Sequence, residues 1–311
     1  MTDTHIGQTI AYLRKLRKLT QQQLADNICT REYIRKLENG YNQPTIYIID
    51  LLSQRLQEDI YNYHHLVEKH NNMETHIKVQ EINDILASEN YELLEKTVHT
   101  YENLPSFKEG EALQIIHYSK ALCSFYLRDN YDETISYCIK GLSVYKHDFN
   151  INNWSKLLYS KIELKFINSI ASCKCYNNDL NDGIKLFYEL FEYLDKYVSG
   201  TLYSIRAVGN FHVTLYTQVA YNLSIHLSKQ EKYSDALEII DKAINISLKT
   251  KFMSMYPYLL KKKFYLLYML KDYENAKFYY EKALVYYKDL ATETEYLELI
   301  DETKEQYPKL F

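Results

Sequence analysis

Four charged side chains lie on one face of a short predicted helix near the N-terminus. They are Arg31, Glu32, Arg35 and Lys36. The apolar residues Ile34 and Leu37 stand three positions apart between them, which is the spacing of an inward-facing helix stripe. The charged side chains are therefore expected to point outward. Guanidinium and ammonium groups bind phosphates and base edges, so this face is suited to the major groove of double-stranded DNA.

A second short helix is predicted just before it. Thr20 and Gln23 form a capping-box pattern, because the threonine hydroxyl can accept a backbone N–H while the glutamine amide reaches back. The inner face of this helix is expected to consist of Leu24, Ala25 and Ile28. Thr30 can cap the following helix, and Gly40 suits the left-handed position after its end. The sequence thus predicts two short helices joined by a tight turn.

Two more apolar stripes complete a small helical bundle. One helix is predicted from about residue 5 to residue 18, with Ile6, Ile10, Leu13 and Leu16 inside. Another, capped by Thr45, is predicted to bury Ile46, Ile49, Leu52 and Leu56. Residues 5–56 include eight basic and four acidic residues, a net charge of +4, whereas the whole chain carries −4. A positive region attracts DNA phosphates, although the same charges also fit an ordinary solvated helical surface.

This segment resembles the Cro/repressor-type helix-turn-helix domains. The resemblance lies in the stretches TQQQLA at 20–25, YI at 33–34 and LENG at 37–40. It implies that Gln21 contacts the DNA backbone or a base and that Arg14 pairs with Glu38. The implied DNA-contacting residues are Gln21, Gln22, Thr30, Arg31, Glu32, Tyr33, Arg35 and Lys36. The turn at 27–30 departs from the family pattern, because it is one residue shorter and lacks the usual glycine.

The composition excludes several classes of protein. Seven glycines and four prolines in 311 residues are too few for a loop-rich or disordered chain. No apolar run approaches the ~20 residues of a membrane span, and the N-terminus has neither the basic nor the apolar part of a signal peptide. Five cysteines without a paired framework fit a reducing compartment. A cytoplasmic protein that does not contact a membrane is therefore expected.

The sequence contains no convincing catalytic or metal-binding pattern. We find no phosphate-binding loop, no nucleophile–base arrangement and no metal-ligand spacing. Cys173 and Cys175 form a C-x-C pattern, but no second pair stands nearby, which favours buried helical cysteines. An enzymatic activity, a cofactor and a metal are therefore not expected.

A polar segment at 57–73 follows the bundle. It keeps a helical apolar stripe and has no run of glycine, serine or proline, which favours a connector helix over a flexible linker. His64, His65 and His70 are predicted to be exposed or capping residues on this helix. The predicted domains are the helix-turn-helix domain at 1–60, the connector at 61–75 and a repeat domain at 76–311.

The rest of the chain repeats a pattern of helix pairs. Five short segments recur, each with an aromatic residue or leucine at the start of the second helix of a pair. These anchors are Tyr91, Tyr131, Leu180, Tyr233 and Tyr273, at spacings of 40, 49, 53 and 40 residues. The two best copies, KYSDALEIIDKAINIS and DYENAKFYYEKALVYY, place alanines seven positions apart, where helices can approach closely. They resemble tetratricopeptide repeats (TPRs), with units longer than the usual ~34 residues.

The predicted fold is all-α, with no β-sheet. The first helices of the five pairs are expected at about 76–88, 112–128, 156–176, 211–229 and 256–270. A closing helix at about 294–306 can cover the open end, because each repeat buries its apolar face only against its neighbours. The five TPR-like pairs are expected to form a right-handed superhelix whose first helices line the concave surface.

Polar residues recur at equivalent places along that surface. Eleven or twelve residues before the anchors stand Gln80, Lys120, Asn168, Asn222 and Lys262. An asparagine amide can hold the backbone of an extended peptide through paired N–H and C=O bonds, and a lysine can take a carboxylate. A polar group satisfied within the stack fits either asparagine alone equally well, but two at matching positions favour a ligand. The predicted peptide-binding residues are Lys120, Lys165, Asn168, Gln218, Asn222, Tyr258 and Lys262.

The order of the parts resembles the PlcR-type, peptide-responsive quorum-sensing regulators of Gram-positive bacteria. The matching stretches are LTQQQLADNICT, NDGIKLFYEL and KYSDALEIIDKAINIS, with Asn168 and Asn222 where that family keeps peptide-contacting asparagines. The resemblance covers nearly the whole chain. It implies a cytosolic transcription regulator in which a short signalling peptide binds the repeat domain and changes how a homodimer binds a palindromic operator.

Three other functions fit parts of the pattern. The repeat domain can bind a protein partner such as a phosphorelay component, or the chain can be a ligand-independent repressor that dimerises through its repeats. An enzyme on the repeat scaffold, such as a phosphatase, is the third, and it lacks a supporting motif. A titration of peptide against DNA affinity separates the first two from a peptide-responsive regulator.

Overall fold

Buried apolar side chains at helical spacing form an N-terminal bundle, called the head below. The computed structural model describes residues 5–70, 72–177, 179–200, 210–290 and 293–310. The head consists of α1 (Ile6–Leu16), α2 (Gln21–Ala25), α3 (Arg31–Glu38), α4 (Ile46–Leu56) and α5 (Ile60–Lys69). Its core side chains are Ile10, Leu13, Leu24, Ala25, Ile34, Leu37, Leu52, Leu56 and Ile60, each at most 2% exposed. The predicted helix-turn-helix bundle is therefore confirmed.

Side-chain caps fix where the head helices begin and end. The Thr20 hydroxyl accepts the backbone N–H of Gln23 at 3.1 Å, and Gln23 Oε1 accepts that of Thr20 at 2.8 Å, which confirms the predicted capping box. Thr30 and Thr45 cap α3 and α4 with their hydroxyls. Gly40 has a φ of +75° just after α3, a conformation that glycine adopts without steric cost.

The short turn between α2 and α3 contains an asparagine in a conformation that usually favours glycine. Asn27 has a φ of +54°, in the left-handed region that asparagine tolerates better than most residues. The backbone N–H groups of Ile28 and Cys29 both donate to the Ala25 carbonyl oxygen at 2.9 Å. The turn therefore closes with satisfied backbone groups and without glycine.

Two residues that we expected in the head core are exposed. Ile46 is 85% exposed and Leu16 is 57% exposed. They are the first residue of α4 and the last residue of α1, where each helix extends past the edge of the bundle. The prediction was wrong for these two because periodicity gives the buried face of a helix but not the point at which its neighbours stop.

The predicted connector segment contains α5, which packs on α1 as part of the head. Ile60 and Val67 are fully buried, and Tyr63 stacks on Tyr12 of α1 with ring centroids 6.0 Å apart. His64 was expected to be an exposed or capping residue, but it is half-buried within α5 and its Nδ1 lies 3.0 Å from the Thr9 hydroxyl of α1. The apolar face of α5 covers α1, and this contact draws His64 inward.

Contacts between residues divide the chain into two compact units, 1–129 with 140–147, and 130–139 with 148–311. Besides the head, the first unit contains α6 (Met73–Ala87), α7 (Tyr91–Tyr101), a 3-10 helix (Pro105–Phe107) and α8 (Gly110–Arg128). Helix α9 (Tyr131–Ser143) contributes residues to both units. The domain boundaries predicted at residues 60 and 75 stay a prediction.

The second unit continues the helix pairs. It contains α10 (Lys161–Tyr176), α11 (Leu180–Val198), α12 (Asn210–Lys229), α13 (Tyr233–Thr250), α14 (Tyr256–Met269), α15 (Tyr273–Leu290) and α16 (Glu293–Gln306). Each of the five predicted anchors is the first residue of a helix. Within the described residues the chain forms helices and no β-strand, so the all-α prediction is confirmed.

Helix α10 begins later than predicted, at Lys161 instead of residue 156. Ser160 and Glu163 form a capping box that sets its start. The preceding residues form a 3-10 helix (Ile151–Lys156) around the chain's single tryptophan, Trp154, which is fully buried. A local cap therefore overrides the apolar pattern that suggested one longer helix.

Tyrosine anchors close the joints between successive helix pairs. Tyr91 at the start of α7 stacks on Tyr126 of α8 with centroids 4.2 Å apart. Tyr131 stacks in the same way on Tyr176 of α10 at 5.7 Å. Each ring therefore covers the first helix of the next pair, which gives the unusual number of tyrosines in this chain a structural role.

Small residues allow neighbouring helices to touch. Ala236, Ala243, Ala276 and Ala283 are fully buried, as the repeat pattern predicted. Gly183 of α11 lies so close to α10 that an added Cβ would stand 2.4 Å from Cys175 Sγ and 2.7 Å from the Cys175 backbone nitrogen. Real Cβ atoms do not approach backbone this closely, so glycine is required here.

Replacing Gly183 by alanine should destabilise the second unit by about 1–3 kcal/mol, because the new methyl group overpacks the α10–α11 contact. Denaturant unfolding followed by circular dichroism measures the change. Lys185→Ala in the same helix is the matched control, since Lys185 is exposed and its loss should alter stability by no more than about 0.5 kcal/mol. Equal stability of Gly183→Ala and wild type would contradict the close contact.

Candidate functional sites

The carboxylate of Glu38 joins three helices of the head. Arg14 of α1 donates to it twice, with Nε–Oε1 at 2.6 Å and Nη2–Oε2 at 2.9 Å, and Gln21 Nε2 of α2 donates at 2.8 Å. The hydrogen bonds to Glu38 raise the pKa of Arg14 against the opposing effect of burial. The side chains of Arg14 and Glu38 are only 12% and 8% exposed, so this implied pair is present and largely shielded from water.

The outer face of α3 carries four of the eight predicted DNA-contacting residues. Arg31, Glu32, Arg35 and Lys36 are exposed, as are Gln22 and Thr30. Tyr33 is half-buried against the head core, and Gln21 is half-buried with its amide on Glu38. The structure thus brings the charged residues together on one accessible face, while Gln21 and Tyr33 also support the helix itself.

Arg55 of α4, to which the sequence analysis gave no role, holds the C-terminal end of α2. Arg55 Nη1 of α4 donates to the backbone carbonyl oxygens of Gln23 at 2.9 Å and Asp26 at 2.6 Å. These carbonyls lie at the C-terminal end of α2, where helices leave acceptors unsatisfied. A basic residue in the last turn of α4 was visible in the sequence, but its partners stand about thirty positions away.

In the second unit, the predicted peptide-binding residues stand on adjacent first helices. Helix α12 contacts both α10 and α14, and these helices carry Asn168, Asn222 and Lys262, all half-buried. The Oδ1 atom of Asn168 is buried and has no hydrogen-bond partner. Gln218 is exposed about one turn before Asn222. An unsatisfied buried acceptor is costly, which makes Asn168 the most informative residue of this group.

Lys262 and tyrosine rings line a small cavity beside this row. The cavity has a volume of about 180 Å³ and is lined by Tyr221, Ile225, Lys261, Lys262, Phe264, Tyr265, Thr303, Gln306 and Tyr307. Lys262 Nζ lies 4.6 Å from the Tyr265 ring centroid, and burial lowers the pKa of Lys262 to about 8. Tyr258 is 43% exposed and meets the Tyr221 ring edge to face. The cavity therefore offers a desolvated amine among aromatic rings.

Two other predicted lysines have different surroundings. Lys120 of the first unit forms an ion pair with Glu102, and this contact is the largest of the causes that lower the Glu102 pKa. A ligand carboxylate at Lys120 must therefore compete with Glu102. Lys165 is half-buried on α10, and burial lowers its pKa.

The two cysteines of the C-x-C pattern lie in the interior of the second unit. Cys173 and Cys175 are buried in α10, and burial raises the pKa of both thiols to about 12. In the part of the chain that the structure describes, no group of three or more histidine, cysteine, aspartate or glutamate side chains is placed to hold a metal ion. Among the same residues, no helix has the length and apolar character needed to cross a membrane.

Comparison with known proteins agrees with this arrangement. A helix-turn-helix family matches residues 10–61, and the RNPP family C-terminal domain matches residues 79–309. The chain belongs to the RNPP family. This RNPP protein matches none of the curated proteins with which it was compared.

Solved structures with a similar fold match nearly the whole length of this RNPP chain. PlcR from Bacillus thuringiensis in complex with the peptide PapR7 and DNA is 21% identical, with a TM-score of 0.64 over 95% of this chain and 98% of that chain. Apo PlcR from the same organism is 19% identical, with a TM-score of 0.59 and the same two coverages. ComR from S. thermophilus, bound to DNA and its signalling peptide ComS, is 16% identical, with a TM-score of 0.56 over 96% and 99%. At these identities the likeness concerns the fold, and it confirms the predicted resemblance.

Removing the Arg14 side chain should destabilise the head of this RNPP protein by about 3 kcal/mol, because it leaves the shielded carboxylate of Glu38 without its main partner. Thermal unfolding and limited proteolysis of the head measure the loss. The double variant Arg14→Met/Glu38→Leu should recover much of the stability, since it removes the unpaired charge as well. If Arg14→Ala unfolds like wild type, the pair does not hold the head together.

Proposed function

We propose that the protein is a cytoplasmic transcription regulator whose repeat domain binds a short signalling peptide and thereby switches the DNA binding of a homodimer. Membership of the RNPP family and the helix-turn-helix match support the regulator part. The relatives PlcR and ComR, each solved with DNA and a peptide, support the peptide part.

The observation that carries the peptide proposal is the unpartnered Oδ1 of Asn168. A buried acceptor without a donor costs stability unless a ligand or a bound water supplies one. A backbone N–H of an extended peptide is a suitable donor, and Asn222 on the adjacent helix can bond the next stretch of the same backbone. The desolvated Lys262 amine can then hold a carboxylate of the peptide.

The head supports DNA binding through its accessible charged face. Arg31, Arg35 and Lys36 project from α3 beside Glu32, and the helix orientation is set by the Glu38 contacts. In helix-turn-helix proteins the N-terminal part of the second helix contacts base edges, and two-fold dimers read palindromic sites. Homodimers on a palindromic operator are therefore part of the proposal. Peptide binding changes the spacing or the angle of the two heads.

Replacing Asn168 by alanine should abolish the response to peptide without weakening the fold. The variant removes an unsatisfied acceptor, so the stability of the free protein should change by less than about 1 kcal/mol. The measurement is fluorescence anisotropy of operator DNA, selected from a random pool, during titration with the short-peptide fraction of medium conditioned by the native host. Sedimentation velocity of the same samples reports the oligomeric state.

Lys277→Ala is the matched control for this experiment, because Lys277 is exposed on α15. It should respond to peptide as wild type does. A normal response of Asn168→Ala would remove Asn168 from the site. Full operator binding by wild type in the absence of any peptide would instead favour a ligand-independent repressor.

Affinity for a peptide with a carboxylate at Lys262 should fall as the pH rises through about 8. Burial lowers the pKa of this amine to about 8, so the charge that attracts the carboxylate is present below that pH and is lost above it. Isothermal titration with the isolated active peptide between neutral and alkaline pH gives the profile. The variant Lys262→Met should bind more weakly and without this pH dependence, and an unchanged profile would place the carboxylate elsewhere.

A further inference from the structure

One ion pair stands out on the accessible face of α3. Arg35 donates twice to Glu32, with Nε–Oε2 at 2.8 Å and Nη2–Oε1 at 2.7 Å. Both side chains are about half exposed, 47% and 55%. Within the described part of the chain, the neighbouring Arg31 and Lys36 have no ion pair of this kind. Arg35 is therefore held in a different way from the other two cations on this face.

The geometry of the pair decides which part of the guanidinium remains available. Arginine has five N–H donors in a planar fork. Glu32 occupies the edge formed by Nε and Nη2, so the edge formed by Nη1 and Nη2 is left open at the tip of the side chain. Guanine presents two acceptors, O6 and N7, side by side in the major groove, and an arginine fork binds both. The open edge of Arg35 matches that pair of acceptors.

The charges favour base reading over phosphate binding at this position. A free arginine in the groove reaches the nearest phosphates, which carry no sequence information. Glu32 cancels the charge of Arg35 and repels phosphates, while it leaves the directional donors of the open edge intact. Arg31 and Lys36 also feel the charge of Glu32, but among the described residues neither has a hydrogen-bonded carboxylate, so they keep more of their attraction for phosphates than Arg35 does.

We propose that Glu32 is a positioning residue that fixes the guanidinium of Arg35 for end-on reading of a guanine in the operator. This inference rests on the proposed DNA binding and adds to it one base identity and the residue that enforces it. Loss of a residue from a DNA interface usually weakens binding, but loss of Glu32 should have the opposite effect on unrelated DNA. Loss of Glu32 strengthens binding to unrelated DNA, because Arg35 becomes free to contact phosphates, and weakens discrimination between sequences.

The test uses the full-length protein and an operator selected by wild type from a random pool. Each guanine of that operator is replaced in turn by 7-deazaguanine, which lacks only the N7 acceptor. Wild type should lose affinity on the order of tenfold at one guanine in each half-site. Glu32→Gln, which keeps the size of the side chain, should lose much less at that guanine.

Salt dependence gives a second and independent readout. One added phosphate contact steepens the slope of log affinity against log salt by about 0.9, so Glu32→Gln should show that change on unrelated DNA. Arg35→Ala removes every donor of the side chain, so it should lose the guanine effect. Lys36→Ala is the matched control and should weaken binding on all sequences while keeping the 7-deazaguanine effect.

The outcomes separate this inference from the proposed function. If wild type selects no operator with or without peptide, DNA binding itself fails. If an operator is found but Glu32→Gln shows the full 7-deazaguanine effect and an unchanged salt slope, only the positioning role is overturned. An effect that survives in Arg35→Ala assigns the guanine to another residue. Circular dichroism of each variant confirms that α3 is folded.

Discussion

The Glu38 carboxylate is the contact on which the head depends. Helix α3 has only eight residues, too short to be stable by itself in water, so its existence and direction come from tertiary contacts. Arg14 and Gln21 meet at Glu38 and connect α3 to α1 and α2, and the apolar contacts of Ile34 and Leu37 complete the support. Every side chain on the outer face of α3 inherits its position from this arrangement.

The two proposed binding regions use polar groups in opposite ways. On α3 the charged side chains are exposed and Glu32 partners Arg35 before any DNA arrives, so recognition depends on the direction in which donors point. On the first helices of the second unit, burial leaves the Asn168 amide oxygen without a donor and lowers the pKa of Lys262. A peptide that donates a hydrogen bond to Asn168 would therefore stabilise the bound protein relative to the free protein. A ligand shifts a conformational equilibrium through such a difference in interaction free energy.

Local signals in the sequence were sufficient for much of the fold. The caps at Thr20, Thr30 and Thr45 and the helix starts at the tyrosine anchors depend on neighbours within a few residues, and all appear as predicted. The exposure of Ile46 and the Arg55 contacts with α2 depend on where distant segments end, so periodicity does not contain them. For the candidate sites, residue type and spacing predicted which side chains of α3 are exposed. The partner of Lys120 and the unpartnered amide oxygen of Asn168 depend on distant contacts, which the spacing does not contain.

The buried Trp154 gives this chain a natural optical label. It is the single indole in the molecule, it is fully buried, and its Nε1 donates to Glu189 at 2.9 Å while Tyr193 lies 5.5 Å away between ring centroids. Emission excited at the red edge, where tyrosine does not absorb, therefore comes from the second unit alone. Changes confined to the head leave that emission unaltered, so the unmodified protein reports whether the surroundings of Trp154 in the second unit respond to a stimulus.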